Sequence, residues 1–179
     1  MGVQRGTVLA TDRLVVTTWV PGDLDDLCEL HSDAETMRFV GPGRPETRVE
    51  VRRRLSGYLD EQAVRGWTKW RVADRDGAMV GRAGFGVYGG FRDLSYVLGR
   101  RHWGRGLGTE LATALRDWHW RNLDPDRPRA LSAFTAEENH ASRRILEKVG
   151  FRFVDAHEYA GEPCLFYRCS GENGPARMS

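Results

Sequence analysis

"RRHWGRGLGTELATALRDW", residues Arg100 to Trp118, carries glycines at 104, 106 and 108 just ahead of a helical apolar pattern. Leu107, Leu111, Ala114, Leu115 and Trp118 recur at three- and four-residue intervals, so the glycines sit where a helix begins. Glycine accepts positive φ, which lets successive N–H groups turn inward as a nest, and the helix dipole favours an anion at that end. A lone GxG would be read as a tight turn. Three spaced glycines at one helix start point to phosphate.

The elements around this stretch narrow the choice of ligand. Upstream, "WTKWRVADRDGAMVGRAGFGVYGGFRDLSYVL" breaks at Asp76–Gly77 and at Gly89–Gly90, which predicts three antiparallel strands. Further back come a strand at "RLVVTTW" (Arg13–Trp19), a helix at "GDLDDLCELHSD", a short helical turn over 34–39, and a helix from Thr47 to about Val64. "TRVE" opens that last helix as a capping box. Downstream lie the helix to about Asn122, the strand "RALSAFT", the helix "NHASRRILEKVG" stopped by Gly150, and two closing strands, "FRFVDAHEY" and "CLFYRC". The expected fold is α/β (α+β): a mixed, mostly antiparallel sheet of about seven strands flanked by helices. One domain over 1–170 and a frayed tail over 171–179 are expected.

Three phosphate-binding classes compete. A P-loop needs a lysine and then Ser or Thr after its last glycine, whereas Gly108 is followed by Thr109 and Glu110. A dinucleotide fold needs a parallel βαβ unit and an acidic residue ending the next strand, whereas this loop follows a meander and the next strand ends in Thr135 and Ala136. The third class holds the pyrophosphate of coenzyme A on such a turn.

Composition excludes other functions. At 179 residues, 40% hydrophobic and 29% charged, the chain can bury one sizeable core. A net charge of +2, with scattered arginines, argues against nucleic-acid binding. No apolar run is long enough to cross a bilayer. Cys28, Cys164 and Cys169 make no CxxC pair, so reduced thiols and a cytoplasmic location are expected. His31, His102, His119 and His140 are too scattered for a metal site, and no metal is expected. Trp67, Trp70 and Trp103 read as core or wall residues.

"RHWGRG" (Arg101–Gly106) fits the R/Q-x-x-G-x-G/A motif, and the chain here resembles the GNAT superfamily of acetyl-CoA-dependent N-acetyltransferases. "DLSYVLGRRHWGRGLGTELATAL" is similar to its ribosomal-protein N-terminal acetyltransferase branch, the RimJ/RimL type, and "ENHASRRILEKVGF" (Glu138–Phe151) fits that branch's N-x-x-S-x-x-x-L-x-K-x-G-F pattern. The resemblance spans nearly the whole chain. It implies a GNAT fold and acetyl transfer from acetyl-CoA to an amine.

Site residues follow from the resemblance. The backbone amide of Leu98 would polarise the thioester carbonyl. The pyrophosphate would lie on the amides of Gly104, Arg105, Gly106, Leu107, Gly108 and Thr109, with Arg101 and Arg105 as charge partners. Asn139 would bond the pantetheine arm, with a helix cap as its other reading, and Ser142 would lie near the sulfur. Many relatives place a tyrosine acid four residues after that serine; here the residue is Leu146, which leaves Ser142, or water it holds, to protonate the thiolate. "DLSYVL" puts Asp93 where the branch has a glutamate, so Asp93 is the expected base, acting through water. Its competing reading is a surface carboxylate, and His157 and Glu158 are the alternative bases.

Acyl transfer to an amine needs a neutral nucleophile, a polarised carbonyl and a protonated leaving group. An α-amine, with a pKa near ~8, asks less of a base than a lysine amine near ~10.4. The expected acceptor is a peptide N-terminus or a small-molecule amine, with no nucleic acid and no membrane involved and a homodimer left open. Two other classes stay in play: a non-catalytic acyl-CoA sensor and a nucleotide-binding regulator.

Overall fold

The computed structural model describes residues 4–123 and 129–171, and the predicted meander lies at its centre. β3 (Lys69–Asp74), β4 (Met79–Tyr88) and β5 (Phe91–Leu98) pair antiparallel, with turns at the two glycine-bearing positions. On one side β2 (Leu14–Thr17) pairs with β3, and β1 (Thr7–Ala10) pairs with β2. On the other lie β6 (Ala130–Ala136), β7 (Arg152–Tyr159) and β8 (Glu162–Ser170), giving the order β1-β2-β3-β4-β5-β6-β8-β7. The sheet thus has eight strands rather than about seven. The added one, β1, has four residues and a half-exposed pattern, too little for sequence alternation to mark it.

Among the described residues, neighbouring strands pair antiparallel except β5 with β6, which are parallel. A parallel pair needs a crossover, and α4 (Leu107–Arg121) supplies it. Leu107, Leu111 and Leu115 of α4 are buried against Phe85, Leu94 and Leu98 of the sheet. Each leucine contributes about 1.5–3 kcal/mol of gross burial energy. α5 (His140–Lys148) lies beside α4 and buries Leu146 in the same core. Gly108 permits this contact, since a Cβ there would stand 2.7 Å from Ile145 Cδ1.

The opposite face carries α1 (Leu24–Ser32) and α3 (Arg48–Arg65), with the short α2 (Ala34–Met37) between them in the chain, and α1 and α3 enclose a second core of Trp19, Leu27, Leu30, Val51, Leu55 and Tyr58. The Thr47–Glu50 capping box starts α3 as predicted, and left-handed Gly66 stops it one residue beyond the expected end. Arg82 of β4 points to this face and donates to His31 Nε2 on α1 at 3.0 Å. Glu46 holds the other ring nitrogen at 2.8 Å, and burial pushes the His31 pKa down to about 4. His31 is a structural residue joining α1 to the sheet. Of the expected tail, residues 172–179 lie outside the described residues.

Candidate active site

β5 and β6 share only two register pairs, Arg92 with Leu131 and Asp93 with Ser132. Past them the strands part, and an opening forms beside Leu94–Leu98. Gly99 N donates to Val80 O on β4 at 2.9 Å. Amides alternate in direction along a strand, so the N–H of Leu98 points away from β4, towards the opening. The Leu98 side chain is buried in the core, and its carbonyl accepts the Trp103 indole N–H at 2.7 Å. That bond anchors the turn leading to α4.

In this turn Gly104 and Gly106 have φ of 71° and 75°, the left-handed region that glycine favours. Gly106 is the N-cap of α4 and has no side chain to cap it. The helical bonding begins with Glu110 N to Gly106 O at 3.1 Å, which leaves the amides of Leu107, Gly108 and Thr109 ahead of the first intrahelical donor. A Cβ built at Gly104 would meet no atom within 4 Å, so the backbone there is open to approach. This cradle of N–H groups without intrahelical acceptors has the chemistry that a phosphate needs. Arg13 braces it from β2's approach, donating to Arg105 O at 2.7 Å and pairing with Glu110 at 2.6 Å. Arg105 itself is exposed at the turn, whereas Arg101 leans to Glu29 on α1 at 3.4 Å.

Asp93 is only 6% exposed, which overturns the surface-carboxylate reading. Its Oδ1 accepts from Ser132 Oγ at 2.9 Å. Burial pushes its pKa up to about 6, opposed by the Ser132 hydrogen bond and the charge of Lys69. The Lys69 ammonium reaches this spot because Gly86, paired with Asp93, has no side chain; a Cβ there would lie 3.2 Å from Nζ. Of the alternative bases, His157 Nε2 is bonded to Tyr88 OH at 2.9 Å, and Glu158 is exposed on β7.

Ser142 lies in the first turn of α5, where Asn139 Oδ1 accepts its backbone N–H at 3.2 Å. Asn139 is therefore the helix cap, and its side-chain amide N–H groups remain as donors for another ligand. Ser142 Oγ is 2.9 Å from the hydroxyl of Tyr96 on β5. Burial pushes the Tyr96 pKa up to about 12, so the phenol keeps its proton. Tyr96 escaped the residue-by-residue reading, although "DLSYVL" contains it. Leu146, where a tyrosine acid was sought, is buried in the core. Asp93 and Tyr96 are three apart on one strand and so point to opposite faces.

Trp67 and Trp70 are buried, and Trp103 is half exposed over the turn. His119 is buried beside Arg92, and burial lowers its pKa to about 4. Among the described residues, no three His, Cys, Asp or Glu side chains are grouped to hold a metal, and no helix is long and apolar enough to cross a membrane.

A mixed sheet parted beside a glycine turn that opens a crossover helix defines an acetyltransferase fold. The chain belongs to the Acetyltransferase (GNAT) domain family, which it matches over residues 13–152. It is 26% identical to the uncharacterized N-acetyltransferase p20 of Bacillus licheniformis, over 80% of this chain and 82% of that protein. A GnaT-family acetyltransferase structure from Bordetella pertussis is similar with a TM-score of 0.75 and 26% identity, covering 91% of this chain and 99% of the other. RimL, a ribosomal L7/L12 α-N-protein acetyltransferase solved with coenzyme A, shares the fold with a TM-score of 0.77 at 16% identity, covering 92% of this chain and 98% of its own.

Proposed function

We propose that this chain is an acetyl-CoA-dependent N-acetyltransferase of the RimJ/RimL type, acting on a primary amine by direct attack, with residues 1–170 as its one domain. The parting of β5 and β6 beside the Gly104–Thr109 turn carries this reading. Bound acetyl-CoA supplies the activated acetyl group as a thioester. The amides of the turn and Arg105 would receive its phosphates, Asn139 would donate to the pantetheine arm, and the Leu98 N–H would polarise the acyl oxygen. Asp93 takes the proton of the amine from one face, directly or through water. On the other face Ser142, backed by Tyr96, returns a proton to the sulfur. The C–N bond forms as the C–S bond breaks, so one proton leaves nitrogen and one reaches sulfur. Direct attack is supported by the cysteines: Cys164 and Cys169 are buried, and burial pushes both thiols up, away from the nucleophilic thiolate.

The test is an acceptor screen over peptides and small amines with acetyl-CoA, following thiol release. Coenzyme A binding without any thiol release would favour a sensor. Displacement of coenzyme A by ATP would favour a nucleotide-binding regulator.

Two variants probe the halves of the site. Ser142→Ala is expected to lower kcat about 10–100-fold at every pH, with coenzyme A affinity retained, because the proton donor is lost and the phosphate cradle is not. Tyr96→Phe should give a smaller drop of the same form. Unchanged turnover in both variants would remove this pair from the reaction. Arg105→Glu should weaken coenzyme A binding about tenfold at low salt, and less at high salt, because the charge is exposed and screened. Titration calorimetry reads this directly; equal affinity would take Arg105 out of the site.

A further inference from the structure

On the face of the sheet that carries Asp93, the neighbouring strands bear a run of aromatic rings. Paired residues share a face, and alternate residues along a strand return to it. Gly86 pairs with Asp93, so Tyr88 is the next residue of β4 on that face. Ser132 pairs with Asp93 as well, and Phe134 follows it on β6. The Tyr88 and Phe134 rings, from strands on either side of β5, are 5.6 Å apart and so meet over the strand that holds Asp93. Phe134 pairs in register with Phe166 of β8, whose ring stacks on Tyr88 at 5.0 Å. From β7, Tyr159 packs on Phe134 at 4.6 Å, and His157 stacks on Phe166 at 3.7 Å.

These rings are not sealed into the core. Tyr159 is 43% exposed, and Tyr88 and Phe134 are half-buried. A soluble protein seldom leaves a contiguous aromatic surface open without a use for it. The Lys69 ammonium stands over Gly86 beside Asp93, so a second cation is repelled there and an apolar group is accommodated at the aromatic end. A buried carboxylate with aromatic rings further along the same sheet face matches an ammonium joined to a planar apolar group.

We propose that this wall selects the acceptor: the preferred substrate is a primary amine with an aromatic ring two or three bonds from the nitrogen, the ring lying on Tyr88, Phe134 and Tyr159 while the nitrogen meets Asp93. This rests on the acetyltransferase reading above. The same chemistry is offered by a free arylalkylamine or by a peptide that begins with an aromatic residue.

The test compares phenethylamine with 2-cyclohexylethylamine, which has similar bulk and no π face, at saturating acetyl-CoA with the full chain. Ring–ring contact of this kind gives about two- to tenfold selectivity, so kcat/KM for phenethylamine should exceed that for the cyclohexyl amine by a factor in that range. Tyr159→Leu and Phe134→Leu should each bring the ratio towards one. A Phe-initiated tripeptide used faster than phenethylamine would make the source a protein N-terminus, and the reverse order a free amine. Equal rates for the two ethylamines, or an unaltered ratio in both variants, would overturn the proposal while leaving acetyl transfer in place. No thiol release with any of the amines would instead count against the acetyltransferase reading. The wall is then judged by thermal shift with coenzyme A present: stabilisation by phenethylamine over its cyclohexyl analogue, reduced in Tyr159→Leu, upholds it, and no difference overturns it.

Discussion

Asp93→Asn is expected to slow acetyl transfer by about 10²–10⁴-fold near pH 7 and, in the same molecule, to raise the melting temperature. Both effects have one origin. Asp93 is almost wholly buried, and burial lifts its pKa from 3.8 to about 6. A carboxyl whose folded pKa lies above its unfolded value favours the fold when protonated. That contribution is complete below pH 3.8 and is lost as pH rises through about 6. At pH 7.5 the ionised group therefore burdens the fold, by up to about 3 kcal/mol at 1.36 kcal/mol per pKa unit. Asparagine keeps the shape and the Ser132 contact without the charge. The variant should melt higher than the parent at pH 7.5 and level with it near pH 4, read by thermal denaturation across that range. Its activity deficit should shrink as pH rises and the amine sheds its own proton. A variant that melts no higher at neutral pH, or whose deficit is the same at every pH, would sink the assignment of Asp93 as a strained base.

Gly84→Ala should destabilise the protein by about 3 kcal/mol or more, a fall of roughly 6–12 °C in melting temperature for a chain of this size. Gly84 has φ of 150°, and a Cβ there would lie 2.0 Å from the carbonyl oxygen of Thr68. That oxygen is backbone and accepts the Phe85 N–H at 3.0 Å, so it has no side-chain freedom with which to move away. Relief would have to come from separating β3 and β4, which also carry Lys69 and Gly86 beside Asp93. Denaturation of the variant beside the parent checks this, and an equal midpoint would show that the strands yield cheaply. The glycine reads as one of several in "GRAGFGVYGG", and nothing local to that run distinguishes it from Gly86 or Gly90.

Much of the fold was legible because it rests on short-range physics. The meander follows from Asp76–Gly77 and Gly89–Gly90, α3 from the Thr47–Glu50 box, and α4 from leucines at helical spacing behind a glycine turn. Each is a preference of adjacent residues, so the chain announces it in order. The proposed phosphate cradle belongs to the same class, since its amides lie within six consecutive residues. Asp93 and Ser142 could be singled out by family pattern, but whether either is buried was beyond that reading. Burial depends on what other strands bring: Ser132 arrives from β6, and Lys69 reaches Asp93 from β3 across a residue without a side chain. The Tyr96–Ser142 contact joins positions 46 apart in the chain. Tyr88 and Tyr159 meet only once β4 and β7 stand in their places in the sheet. Sequence spacing encodes where the backbone turns and which residues share a face. The pKa of a carboxylate and the shape of the surface beside it are set by distances between strands, and these exist only after the sheet has closed.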